Sequence, residues 1–233
     1  MKIERLGAWY ALDKLSGLQI PPFLTLLERL NYDVLWYPES RGYESLSLAS
    51  FLLGNSTKLK IGSSIASIYA RDAFTARRGM LSLNSLYCGR FILGLGVSHA
   101  PVVEGVRGHI YAKPVAAMRG YLDCITKDQS GSEEWPIAIA ALGPLMLKLA
   151  GERTRGALPY NVTPEHTARA AKLLGQVVGS RAKSLLGDGC WASARARPQG
   201  TRALHGPRQL SQLLAQPRLH GGGSGQWRLR SLH

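Results

Sequence analysis

Along residues 1–175 the spacing of apolar side chains alternates between short continuous runs and helical periods. Leu6–Leu12 (LGAWYAL), Tyr32–Tyr37 (YDVLWY), Leu59–Ala66 (LKIGSSIA), Phe91–Leu95 (FILGL), Ile137–Leu142 and Gly156–Val162 read as strands. Between them, Pro22–Leu30 (PFLTLLERL), Leu46–Leu53, Ala73–Tyr87, Ala116–Ile125, Leu145–Ala150 and Pro164–Leu174 read as helices, with Gly54 placed as a C-cap. Six βα units in succession predict parallel strands joined by crossover helices. Strands apolar on both faces suit a sheet covered by helices. From Gln176 to His233 the period is lost, and Arg, Gly, Gln and Pro take over.

Two architectures satisfy the regular part: an open doubly wound sheet, or a (β/α)8 barrel of the TIM type. No GxGxxG opens the first unit, which counts against the doubly wound sheet. A barrel domain usually takes ~250 residues, so a barrel here lacks its last two units. The expected fold is α/β: an incomplete (β/α)8 barrel of about six units over residues 1–175, followed by an irregular tail over residues 176–233.

The 233-residue chain has a formal charge of +14, which invites a nucleic-acid reading. Its distribution argues otherwise. The tail carries nine Lys or Arg against the single acid Asp188, which leaves the first 175 residues at about +6. A non-enzymatic basic module would have to use RARPQGTR with only Trp191 and Trp227 as tail aromatics, and no nucleic-acid motif is present. Cys88, Cys124 and Cys190 are odd in number and lack CxxC spacing, so neither a disulfide framework nor a metal site is expected. That usage suits a reducing cytoplasm. MKIERLGAWY lacks a signal-type apolar core, and no apolar run reaches the ~20 residues a bilayer requires.

The stretch ARDAFTARRGMLSLNSLYCGRFILGLGVSHAP (Ala70–Pro101) resembles the luciferase-like monooxygenase superfamily, especially its deazaflavin (F420)-dependent oxidoreductases. YDVLWYPES, IAALGPLMLKLAGERTRGALPY and VTPEHT match in the same order, so the similarity covers roughly residues 5–175. It implies a (β/α)8 barrel with a flavin-like ring across the C-terminal strand ends, where barrel active sites lie. The implied activity is hydride transfer between coenzyme F420 and a small organic substrate. FMN-dependent monooxygenation and an inactive decayed gene product are the alternatives. Kinship also implies a homodimer.

The resemblance assigns the site residue by residue. Glu39, ending the second strand, would lie near the ring and accept a hydrogen bond, as a catalytic and cofactor-binding residue. Many F420 members place His directly after this acid, where this chain has Ser40, a poor acid. His99 is then the candidate proton-handling group. Ser64–Ile65 aligns with a non-proline cis peptide behind the ring. Gly96, Val97 and Ser98 would flank the cofactor. Ala140, Ala141 and Gly143 lead into a helix start at Pro144, which suits an anionic cofactor chain. Glu104, Arg107 and His109, in the loop after the fourth strand, are candidate substrate contacts, whereas Arg71, Arg77 and Arg78 read as structural or solvated.

The tail has a second reading. Its Arg, Ala, Gly and Pro content is what a shifted reading frame produces. Advanced by one base, with synonymous codons chosen freely, it can spell KVFLET, a seventh strand, then AGQARALGRKALARF, an amphipathic helix. Residues 176–233 are therefore expected to be frameshifted in origin and disordered. An open parallel barrel exposes strand edges, so the chain as written is expected to fold poorly or to bind cofactor weakly.

Overall fold

A computed structural model describes residues 6–40, 42–127 and 135–177. The tail from 178 onward, including its expected disorder, lies outside the described residues. Every strand pairing is parallel, and strand neighbours follow chain order. β1 (Gly7–Trp9) pairs with β2 (Val34–Tyr37), and β2 pairs with β3 (Lys60–Ser63). β3 and the short β4 (Ala66–Ser67) both pair with β5 (Phe91–Gly96), which in turn pairs with β6 (Ile137–Ile139). A bridge from Ile139 to Ala157 begins the next stave. Sequential order without reversal is the barrel pattern and excludes the doubly wound sheet. The wall also curls, since the rings of Trp9 on β1 and Tyr160 beyond the last bridge lie 5.6 Å apart.

Both faces of the wall are dry. Val34, Trp36, Ile92, Ala138 and Leu158 form the inner cluster, with Trp9 and Ile65 packed on it. The alternate residues Leu35 and Tyr37 are buried on the outer face, and the Tyr37 hydroxyl donates 2.8 Å to the Ser45 carbonyl. That carbonyl belongs to α2 (Ser45–Gly54), which packs on β3.

The helices follow from local chemistry. α1 (Ile20–Arg29) starts on prolines that need no N–H partner, and buries Ile20, Phe23, Leu24 and Leu27 along one face. α2 is capped by Glu44, whose carboxylate accepts from the Leu46 and Ser47 amides. It runs through Gly54 and ends at Asn55, whose side-chain amide donates 2.8 Å to the Phe51 carbonyl, so the C-cap is one residue later than expected. α3 (Ala73–Leu86) is capped by Asp72. α4 (Ala100–Gly105), α5 (Pro114–Thr126), α6 (Pro144–Arg153) and α7 (Pro164–Val177) complete the order.

Three expected strands are shorter or broken. Leu6–Leu12 retains only β1, because Leu12–Lys14 closes into a 3-10 turn. Leu59–Ala66 is interrupted. Gly62 pairs with Ile92 and Ala66 with Leu95, so three residues (Ser63–Ile65) stand opposite two, which is a bulge. Gly156–Val162 is reduced to the bridge at Ala157, held by Ile139 N–H to Gly156 O (3.2 Å) and Leu158 N–H to Ile139 O (2.9 Å). No stave pairs on its far side among the described residues, and a strand needs such a partner to extend.

Candidate active site at the strand ends

The C-terminal ends of β2, β3/β4, β5 and β6 open on one side, and the bulge is the feature around which they are organised. The Ser64–Ile65 peptide is cis, as the resemblance implies. Ser63 fills the interrupted ladder: its hydroxyl accepts from the Gly94 amide and donates to the Gly94 carbonyl, both at 2.9 Å. Gly94 must lack a side chain, since a Cβ there would strike the Ser63 carbonyl and come 2.7 Å from Leu158 Cδ1. A Cβ at Gly96 would enter the Ile65 side chain. The two glycines of β5 therefore make room for the bulge beside them.

β2 grips that bulge at three points. The Ser64 amide donates 2.6 Å to the Tyr37 carbonyl, and the Glu39 amide donates 3.2 Å to the Ile65 carbonyl. Glu39 Oε2 accepts 2.8 Å from the Ser67 amide. Its Oε1 faces the Ser45 amide at 3.4 Å and takes a hydrogen bond from Arg71 Nη2. The carboxylate is 5% exposed, with both oxygens committed to protein donors. Protein donors on both oxygens thus hold the Glu39 side chain in place.

Arg71 is the residue that the sequence reading undervalued. Its side chain is 7% exposed, and Nη2 also donates 2.8 Å to Glu44 Oε1. Burial opposes its charge, but the hydrogen bond and charge of Glu39, then the charge of Glu44, outweigh it and raise its pKa. Burial likewise opposes charge on Glu44, yet the Ser47 and Leu46 amides, with Arg71, hold that carboxyl below its usual range. Tyr121 donates to the Arg71 carbonyl at 3.1 Å, and burial raises its phenol pKa. The only hint in sequence was an Arg directly before a helix-capping Asp; which carboxylates it would reach depends on tertiary structure. Arg78 is exposed, and Arg77 stacks on Trp135 at 5.2 Å, both in keeping with the structural or solvated reading.

The other candidates distribute unevenly. Gly96 is buried, Val97 and Ser98 are half-buried, and Ser98 adopts φ 57°. His99 is exposed at the start of α4, and its side chain makes no capping bond. Ala140 is tied to β5 through its amide (2.8 Å to the Leu95 carbonyl), with Ala141 buried beyond it. Gly143 begins α6 without a side-chain cap, and nothing stands within 4 Å of where its Cβ would be. Ser40 donates its hydroxyl to Asp13 and lines the same cleft as Glu39.

The three substrate candidates separate. Arg107 joins Glu39, Glu44 and Arg71 in lining a cleft of about 430 Å³. His109 lies 6.0 Å from the Tyr69 ring, beside Tyr111. Glu104 accepts 3.2 Å from the Tyr111 amide, which holds the loop. Sequence reasoning missed Tyr69 and His166; Nε2 of His166 lies 2.9 Å from the Leu142 carbonyl at the start of α6. Among the described residues no cluster of His, Cys, Asp or Glu could hold a metal ion, and no helix is long and apolar enough to cross a membrane.

A parallel (β/α) barrel with its candidate site residues at the C-terminal rim has the TIM-barrel architecture. Comparison with known proteins narrows this. The family model described as luciferase-like monooxygenase matches residues 19–131, just under half of the chain. A Mycobacterium tuberculosis protein named for coenzyme F420-dependent oxidoreduction is 31% identical over 153 residues, covering 65% of this chain and 42% of the relative. Among solved structures, the F420-dependent tetrahydromethanopterin reductase of Methanopyrus kandleri superposes with TM-score 0.62 at 18% identity, covering 74% of this chain and 60% of that one. An FMN-bound diketocamphane monooxygenase component from Pseudomonas putida gives 0.61 at 15% identity, covering 76% and 62%. The chain spans about half the length of the curated relatives it matches.

Proposed function

We propose that the chain is a luciferase-like oxidoreductase that transfers a hydride between coenzyme F420 and a small organic substrate. The observation that carries this reading is the half-buried Ser64–Ile65 bulge, gripped from β2 and set beside Gly96 at the strand ends. A flat ring laid there would meet Ile65 from below, above an apolar floor of Trp9, Trp36 and Leu158. The uncapped start of α6 at Gly143 suits an anionic side chain, because unpaired N–H groups and the helix dipole favour negative charge. The residues present therefore fit such a group. When bound, F420 supplies the hydride chemistry itself, and the protein supplies orientation and electrostatics.

In this reading Ile65, Gly96, Val97 and Ser98 position the ring, and Ala140, Ala141 and Gly143 receive its tail. Glu39 presents a fixed negative charge at the rim. His99, exposed and without a capping bond, holds or moves the proton. Arg107, His109 and Glu104 belong to the substrate side. Cytoplasmic location follows from the cysteine usage and homodimeric pairing from kinship, while the charge distribution argues against a nucleic-acid partner. One observation favours FMN and monooxygenation instead: the position after Glu39 is Ser40, turned to Asp13, rather than an imidazole.

Titrating the purified chain with F420 and separately with FMN, followed by cofactor fluorescence, tests the reading. Saturable binding with preference for F420 is expected, weakened in the chain as written by its open strand edges. Preference for FMN would shift the assignment to the monooxygenase alternative, and failure to bind either would overturn both.

A further inference from the structure

We infer that Arg71 is a positioning residue for the cofactor site, acting through Glu39 on the bulge; this rests on the function proposed above. Glu39 reaches across from β2 to the Ser67 amide, two residues beyond Ile65. That bond and the two backbone bonds at Ser64 and Ile65 fix the height of the bulge above the barrel interior. A carboxylate 5% exposed keeps its place only when its charge is compensated. Arg71 provides the compensation from a side chain nearly as buried, itself held by Glu44 and by Tyr121 on its carbonyl. The groups facing Glu39 are Arg71, Glu44 and the phenols of Tyr37 and Tyr121, and Arg107 lines the same cleft. Of the two cations, Arg71 is the one bonded to the Glu39 carboxylate. Without it, Glu39 turns toward water and releases Ser67, and the floor beneath the ring loses one of its three ties.

A general loss of stability would look different, and Glu28 separates the two effects. Its carboxylate accepts from the Thr57, Lys58 and Leu59 amides ahead of β3 and bonds nothing in the bulge. Arg71→Met, Arg71→Lys, Glu28→Ala and the double variant Arg71→Met/Glu39→Gln are compared by F420 titration, melting temperature and amide hydrogen exchange without cofactor. Arg71→Met is expected to raise the F420 dissociation constant about tenfold or more, with Arg71→Lys recovering most of it, because Lys keeps the charge. Glu28→Ala should lower the melting temperature through the lost amide bonds, while affinity stays within about twofold. The double variant should bind no more weakly than Arg71→Met alone. Without cofactor, Arg71→Met should speed exchange at residues 64–68, whereas Glu28→Ala should not. Wild-type affinity in Arg71→Met, affinity losses that track melting temperature across the set, or unchanged exchange at residues 64–68 would each overturn the inference. The exchange arm needs no ligand, so it decides the role of Arg71 even if the wild type binds neither cofactor and the proposed function fails.

Discussion

Glu28, on the side of the barrel opposite the mouth, offers a quantitative test of how the wall is held. Its Oε1 accepts from three consecutive amides, Thr57 (2.9 Å), Lys58 (2.7 Å) and Leu59 (3.0 Å), and its Oε2 accepts from the Thr57 hydroxyl (2.9 Å). One carboxylate thus orders the turn that feeds β3. Thr57 and Lys58 are exposed, so water replaces their bonds at little cost, while Leu59 is buried and its amide has no easy substitute. Charging only that bond, and discounting for solvent, Glu28→Ala should cost about 1.5 kcal/mol. For a domain of this size that is a fall of about 3–6 °C in melting temperature. Glu28→Gln keeps an acceptor oxygen but loses the charge, and should cost about half as much. Partial burial opposes the charge of Glu28, but these hydrogen bonds outweigh it and hold its carboxyl below the usual 4.5. A lowered carboxyl stabilises above its ordinary pKa and loses that contribution as pH falls through the folded value. The gap between wild type and Glu28→Gln should therefore be full at pH 7 and shrink below about pH 4.5. A Glu28→Ala variant melting within a degree of wild type, or a Gln gap that widens in acid, would refute the reasoning.

Three further outcomes are expected. Gly96→Val places atoms where Ile65 sits and should weaken F420 binding by about tenfold or more, through overpacking at the bulge; unaltered affinity would remove Gly96 from the site. His99→Ala should lower turnover by about a hundredfold while leaving the cofactor dissociation constant unchanged, and an unchanged rate would remove it as the proton-handling group. The coding DNA across Gly175 should carry wobble bases that spell KVFLET and its following helix in the shifted frame; any other bases end that reading of residues 176–233.

How much of this was legible in the sequence differs by element. α1 and β2 were, because an apolar stripe at helical spacing and an unbroken run of four buried residues each have one ready solution. The parallel order followed from strands and helices taking turns. α4 escaped notice because PVVEG is short and rich in β-branched residues, so only its proline start signals a helix. The strand expected at Gly156–Val162 was overextended, because apolar composition says nothing about whether a ladder partner exists. At the site, Glu39 and Ser64–Ile65 could be placed through family resemblance. Arg71 could not, because pairing across the tops of two strands leaves no local pattern. The resemblance set Gly96 against the cofactor, whereas what comes closest to Gly94 and Gly96 is the bulge at Ser63–Ile65 beside them.

Hydrogen exchange with and without saturating F420 addresses the central claim most directly, because it reports where a disc-shaped ligand lands even when it is held loosely. Added protection should appear together at residues 64–68, 96–99 and 140–147, with α1 and the Thr57–Leu59 turn unchanged. Protection confined to other segments, or none at these strand ends under saturation, would contradict it.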